Sequence, residues 1–170
     1  MAVVFDASIL IDLFNKKLAG DRRTRLDHLI ATLTKQKIRV LIPTPALAEL
    51  LVRDGKARER HLRELSRSAT FSLEAFDQKA AVECALLLEE AWSRGQQGKV
   101  SHAKFKFDWQ IVAIAKSRNA TAIYSDDPDI ARASARVSIP VYTTASLPIP
   151  SSALQQNMEF EGRDEEGGSS

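Results

Sequence analysis

Val3-Val4-Phe5 is a short apolar run of β-branched and aromatic residues, broken at once by Asp6 and followed by Ala7-Ser8-Ile9-Leu10-Ile11-Asp12. Such a run reads as a buried strand, and the polar pair Asp6 and Ser8 marks where it stops and a helix begins. Asp6 then stands at the carboxyl end of a strand, the edge at which open α/β sheets bind ligands. The same acid also suits an N-cap for a helix through Ile9, Leu10 and Leu13. Partners elsewhere in the chain must decide between the two roles.

The remaining sequence repeats this strand-then-helix pattern. Leu26, Leu29, Ile30 and Leu33 recur at helical spacing over 21–35, and Ile38 to Ile42 reads as a strand. Pro43-Thr44-Pro45 opens a helix carrying Ala46, Leu47, Leu50 and Leu51, with Thr44 as its expected cap and Glu49 between the apolar positions. The charged stretch 56–68 reads as a surface helix, 69–73 as a strand, and 75–94 as a long helix ending at Gly95. Gln96 to Lys106 breaks the periodicity and reads as an exposed loop, after which Asp108 opens a helix through Ile111, Val112, Ile114 and Ala115. Thr121 to Tyr124 and Ile139 to Tyr142 read as the last strands, separated by Ser125-Asp126-Asp127-Pro128-Asp129 and a short helix. Strands alternating with helices imply a parallel sheet of about five strands covered on both faces, an α/β class.

One domain is expected over 1–148, followed by a polar, acidic and disordered tail over 149–170. The formal charge of +2 hides an asymmetry, because Glu159, Glu161, Asp164, Glu165 and Glu166 stand against Arg163 alone near the C-terminus. The body is therefore more basic than the total suggests, which suits a polyanionic partner. No apolar run reaches the roughly 18 residues of a membrane helix. The opening run, interrupted by Asp6 and Asp12, does not read as a secretory signal. The single cysteine, Cys84, lies among alanines and leucines and reads as a small buried residue. These features point to a reducing, cytoplasmic setting.

Four acids occupy comparable places. Asp6 and Asp126 each follow a strand directly, while Glu49 and Asp108 sit in the first turns of helices leaving the same edge. Converging carboxylates repel and take up protons unless a cation compensates them. Oxygen-only ligands select Mg²⁺ or Mn²⁺, and His28, His61 and His102 have no metal-type spacing and read as surface residues. Such an ion activates water, holds a phosphate and neutralises the charge of a phosphoryl transition state. No His, Lys or Tyr stands at a motif position to act as nucleophile or general base, so this chemistry falls to the metal. The sequence contains no P-loop, no G-x-G-x-x-G and no G-x-S-x-G elbow.

Phe5-Asp6-Ala7-Ser8, Ala46-Leu47-Ala48-Glu49-Leu50, Asp108-Trp109-Gln110-Ile111-Val112-Ala113-Ile114-Ala115 and Ile123-Tyr124-Ser125-Asp126, with Asp129 three residues on, follow one another in order across residues 2–145. In that order and spacing they resemble the PIN-domain family, which includes the VapC-like toxins of VapBC-type toxin–antitoxin modules. The resemblance implies a three-layer α/β/α sandwich, a Mg²⁺- or Mn²⁺-dependent endoribonuclease acting on single-stranded RNA, an antitoxin protein as partner, and a homodimer. It matches Asp6, Glu49 and Asp108 to the core acids, Asp126 to the more variable fourth, Ser8 to the small polar helper and Asp129 to a supporting position. Trp109, Val112 and Tyr124 depart from the residues usual there and are expected to narrow the pocket. Lys104 and Lys106, just before Asp108, are candidates for RNA backbone contact. A non-catalytic RNA- or protein-binding regulatory module on the same frame is the competing reading.

Overall fold

The computed structural model describes residues 1–93 and 102–151, and of 102–106 the backbone alone. Five strands form the sheet: β1 (Ala2–Phe5), β2 (Arg39–Pro43), β3 (Phe71–Glu74), β4 (Ile123–Tyr124) and β5 (Val141–Tyr142). All pairings are parallel, in the order β3-β2-β1-β4-β5. The direction of chain progression reverses between β1 and β4, which makes their carboxyl ends the switch point of the sheet. Phe5 pairs with Tyr124, so the next residues, Asp6 and Ser125, leave neighbouring strands at one height.

Both faces of the sheet are covered. Val4 and Phe5 point to opposite faces of β1, and each is fully buried. Burying each such side chain contributes about 1.5–3 kcal/mol, so β1 is the anchor of the core. The helices are α1 (Ala7–Phe14), α2 (Gly20–Lys35), α3 (Thr44–Arg53), α4 (Arg58–Arg67), α5 (Gln78–Ser93), α6 (His102–Ser117) and α7 (Pro128–Ser134). Gly20 starts α2 at φ 69°, a conformation that residues with a Cβ adopt only under strain. Cys84 is buried in α5, as its apolar neighbours imply, and burial pushes its thiol pKa up.

Several expectations are corrected. α6 begins at His102, so Asp108 lies within the helix and does not open it, and 102–106 is helical where a loop was expected. His-Ala-Lys-Phe-Lys contains no breaker, and the last glycine before it is Gly98; residues 94–101 lie outside the described residues, as does the tail from 152. Thr44 is not a cap: Pro43 holds that place, and the Thr44 hydroxyl accepts the Phe76 N–H at 3.4 Å. The charged segment after α3 begins with a 3-10 turn, Gly55–Ala57, and α4 is not wholly superficial. His61 and Leu65, one turn apart, face inward at 1% and 2% exposure.

Candidate metal centre

Asp6 ends β1 and caps α1, so the two roles open to it in sequence coincide. Its Oδ1 accepts the Ser8 hydroxyl at 2.6 Å and the Ile9 N–H at 3.2 Å, while Oδ2 accepts the Ser125 hydroxyl. The same serines bind back to the opposite turn: Ser8 Oγ accepts the Asp126 N–H and Ser125 Oγ accepts the Asp127 N–H, each at 3.0 Å. Two hydroxyls thus lock the β1–α1 and β4–α7 turns around one carboxylate. Burial pushes the Asp6 pKa above its ordinary value, against the opposing pull of the hydrogen bonds from Ser125, Ser8 and Ile9. A buried carboxylate held only by neutral donors retains its attraction for a cation.

A cavity of about 220 Å³ opens over this turn, lined by Asp6, Ser8, Glu49, Asp108 and Asp127 together with Ile11, Ile111 and Arg53. Glu49 reaches it from the exposed side of α3, and Asp108 from a buried place in α6. Asp6, Glu49 and Asp108 are therefore brought together although 102 positions of sequence separate the first from the last. Carboxylate oxygens of Asp108, Asp127 and Asp129 lie within 4.8 Å of one another. That spacing, with an all-oxygen donor set, fits a hard divalent cation, whose bonds to oxygen run about 2.0–2.6 Å. The two groups of acids meet at Asp108 and Asp127.

Asp126, matched to the fourth acid, has partners of its own. Its Oδ1 accepts the Thr144 N–H at 2.7 Å, and its Oδ2 accepts the Thr144 hydroxyl at 2.8 Å and the Arg22 guanidinium at 2.6 Å. Arg22 also pairs with Asp12. These partners turn Asp126 toward α2 and the segment after β5, and the adjacent Asp127 lines the cavity in its stead. Asp127 also caps α7 through the Asp129 N–H at 2.8 Å, and Asp129 pairs with Arg132.

Neither aromatic departure lines the cavity. Trp109 is buried beside Arg136, whose guanidinium lies 5.7 Å from its ring centroid, and Tyr124 packs between Phe5 and Tyr142. Ser125 and Arg53 went unrecognised in sequence. For Arg53 the four-residue spacing from Glu49 was the available signal; the place of Ser125, one residue past the Phe5–Tyr124 pair, is set by strand register, which the fold alone gives. The side chains of Lys104 and Lys106 lie outside the described residues.

Comparison with known proteins bears on the fold. VapBC2 from Rickettsia felis, bound to a DNA fragment from their promoter, superposes with TM-score 0.62 at 17% identity over 84% of this chain and 98% of that one. DNA-bound VapBC from Salmonella typhimurium gives 0.60 at 19% identity, covering 85% and 98%. Mycobacterium tuberculosis VapC20, a Sarcin-Ricin loop cleaving toxin, gives 0.54 at 18%, covering 77% and 94%. At these identities the likeness is one of fold. No curated protein sequence matches the chain. Residues 3–136, by contrast, match the PIN domain family over most of the sequence, and the chain belongs to that family.

Proposed function

We propose that this protein is a Mg²⁺- or Mn²⁺-dependent endoribonuclease that hydrolyses phosphodiester bonds of single-stranded RNA, and that it is the toxin of a type II toxin–antitoxin pair. The observation that carries the reading is the acidic cavity at the switch point of a PIN-family sheet, where Asp6, Glu49, Asp108 and Asp127 converge. Asp6, Asp108 and Asp127, with Glu49 beside them, would hold the ion, which would supply Lewis-acid polarisation of the phosphoryl oxygen and an activated water, and Asp129, paired with Arg132, would support them. Asp6 fixes the floor of the site, and its hydroxyl partners Ser8 and Ser125 keep the carboxylate oriented. Arg53, at the wall of the same cavity, is suited to hold a substrate phosphate.

An antitoxin is the partner this reading calls for. It would silence the site by placing a basic side chain among the carboxylates, in charge-assisted contacts that stand in for the cation. The solved VapBC structures support such a pairing by analogy of fold. A homodimer and a cytoplasmic setting belong to the same proposal. Among the described residues no helix is long and apolar enough to cross a membrane.

The test incubates purified protein with single-stranded RNA in Mn²⁺, in Mg²⁺ and in EDTA, alongside the Asp6→Asn and Asp108→Asn variants. Cleavage only with metal, lost in both variants, is expected. Cleavage that persists in chelator, or ends bearing 2′,3′-cyclic phosphate, would reject metal-assisted hydrolysis. An intact RNA under every condition, with cellular effects retained by the variants, would identify a non-catalytic binding module.

A further inference from the structure

A second, smaller cavity of about 170 Å³ adjoins the acidic one, and the two share Ile11 and Arg53 as a common wall. Its character is different. Phe14 and His61 meet with ring centroids 4.7 Å apart, and Asn15 and Asp54 add polar atoms beside them. His61 is 1% exposed, donates or accepts through Nε2 at 2.8 Å from Asp54 Oδ2, and keeps Nδ1 without a hydrogen-bond partner among the described residues. Asn15 uses its carbonyl for the Lys17 N–H at 3.0 Å, which leaves its amide N–H₂ to donate elsewhere. A buried imidazole with an unmet nitrogen is costly for a fold to keep. Here it lies in the wall of a cavity that touches the proposed catalytic one.

We infer that this cavity receives one unstacked nucleobase of the RNA strand, from the nucleotide next to the scissile phosphate. The inference rests on the ribonuclease reading of the acidic site. The volume is below the roughly 300–1,000 Å³ of a drug-sized ligand pocket and suits a single ring system. Single-stranded RNA is read in this manner, with a splayed base stacked on an aromatic side chain and hydrogen-bonded at its edge. Phe14, backed by the buried His61, supplies the ring, the Asn15 amide donates, and Asp54, whose Oδ2 holds His61 at 2.8 Å and lies 3.9 Å from Arg60, accepts through Oδ1. A carboxylate acceptor takes the exocyclic amino group of adenine, cytosine or guanine, whereas uracil offers only its ring N3–H, so an amino-bearing base is preferred. Arg53, common to both cavities, would hold the phosphate that joins the recognised nucleotide to the cleaved bond.

The experiment uses a short oligoribonucleotide that the full-length protein cuts in Mn²⁺, carrying an abasic site at each position in turn. One abasic position beside the cut is expected to raise KM about tenfold, the scale of a lost base–aromatic stack, and uracil there to raise it less. In Phe14→Leu and Asn15→Ala the penalty at that position should shrink, more in Phe14→Leu, which removes the stacking ring. A flat abasic scan, or a penalty of equal size in both variants, overturns the inference and leaves the nuclease reading standing. If the wild type cuts no RNA, the same oligonucleotides are scanned by fluorescence anisotropy. A single-position loss of binding that both variants abolish then keeps the base pocket while the nuclease reading fails, and absence of RNA binding overturns both. A flat scan with Phe14 buried by a protein partner assigns the cavity to that partner and rejects the base.

Discussion

Asp6 and Asp77 do the same local job and end in opposite electrostatic states. Each accepts an N–H three residues ahead, Asp6 from Ile9 at 3.2 Å and Asp77 from Ala80 at 2.9 Å. Asp77 is also gripped by Arg118 at 2.8 Å, and that arginine reaches Glu74 at 2.8 Å as well. The backbone N–H of Ala80 and the Arg118 guanidinium hold its pKa below the usual carboxylate value. Asp6 has serine hydroxyls where Asp77 has a guanidinium, and burial pushes its pKa up. An arginine compensates the charge of the acid it pairs with; hydroxyls orient a carboxylate without compensating its charge. Among the neighbouring acids, Asp126 is held by Arg22 and Asp127 lines the cavity.

The largest expected effect breaks this contrast at the site itself. Asp108→Asn should lower kcat on single-stranded RNA by about 10²–10⁴, the range associated with losing a group that acts in the chemical step, while Asp77→Asn leaves cleavage unchanged. Equal losses in a fluorogenic RNA assay would mean that the two acid groups are not functionally distinct. Next, Mn²⁺ at a hundred times its Kd should stabilise the wild type by about 2.7 kcal/mol, read as a rise in Tm. Asp127→Asn should abolish that rise and Asp126→Asn should keep it; the reverse result would return the fourth carboxylate to Asp126.

A smaller effect separates the two acids by pH. Asp77 has a folded pKa below its ordinary value of 3.8, so its stabilisation is present above that pH and is lost as pH falls through the folded value. Asp77→Asn should therefore lower Tm at neutral pH, with the deficit fading in acid. Asp6 has a folded pKa above 3.8, so its ionisation costs stability progressively as pH rises from 3.8 through the folded value. In chelator, the Tm of Asp6→Asn relative to wild type should climb over that interval, and parallel pH profiles for both variants would contradict the contrast. The smallest effect concerns Arg22, whose side chain is 44% exposed. Arg22→Ala should cost about 1 kcal/mol or less by urea denaturation, because solvent screens such pairs.

The local pattern of the chain already determined much of this molecule. Val3-Val4-Phe5 is buried on both faces as an apolar run must be in a covered parallel sheet, and Asp6 follows it because a strand ends where a carboxylate can cap the next helix. Glu49 and Asp108 were legible as acids on helices packed against the sheet, although Asp108 lies in the second turn of α6 and does not open it. The start of α6 was misread because lysines and glutamines over 96–106 masked a segment without a helix breaker. His61 was misread because its neighbours in α4 are charged, although the four-residue step to Leu65 marks a buried stripe. Which of Asp126 and Asp127 faces the cavity was beyond any local rule. Successive side chains leaving a turn point in different directions, and the choice was made by Arg22 and Thr144, 104 positions before and 18 positions after Asp126. Sequence assigns a carboxylate to a turn through short-range backbone preferences; only the packed fold, by bringing distant donors within hydrogen-bond reach, decides whether that charge is neutralised or left for a cation.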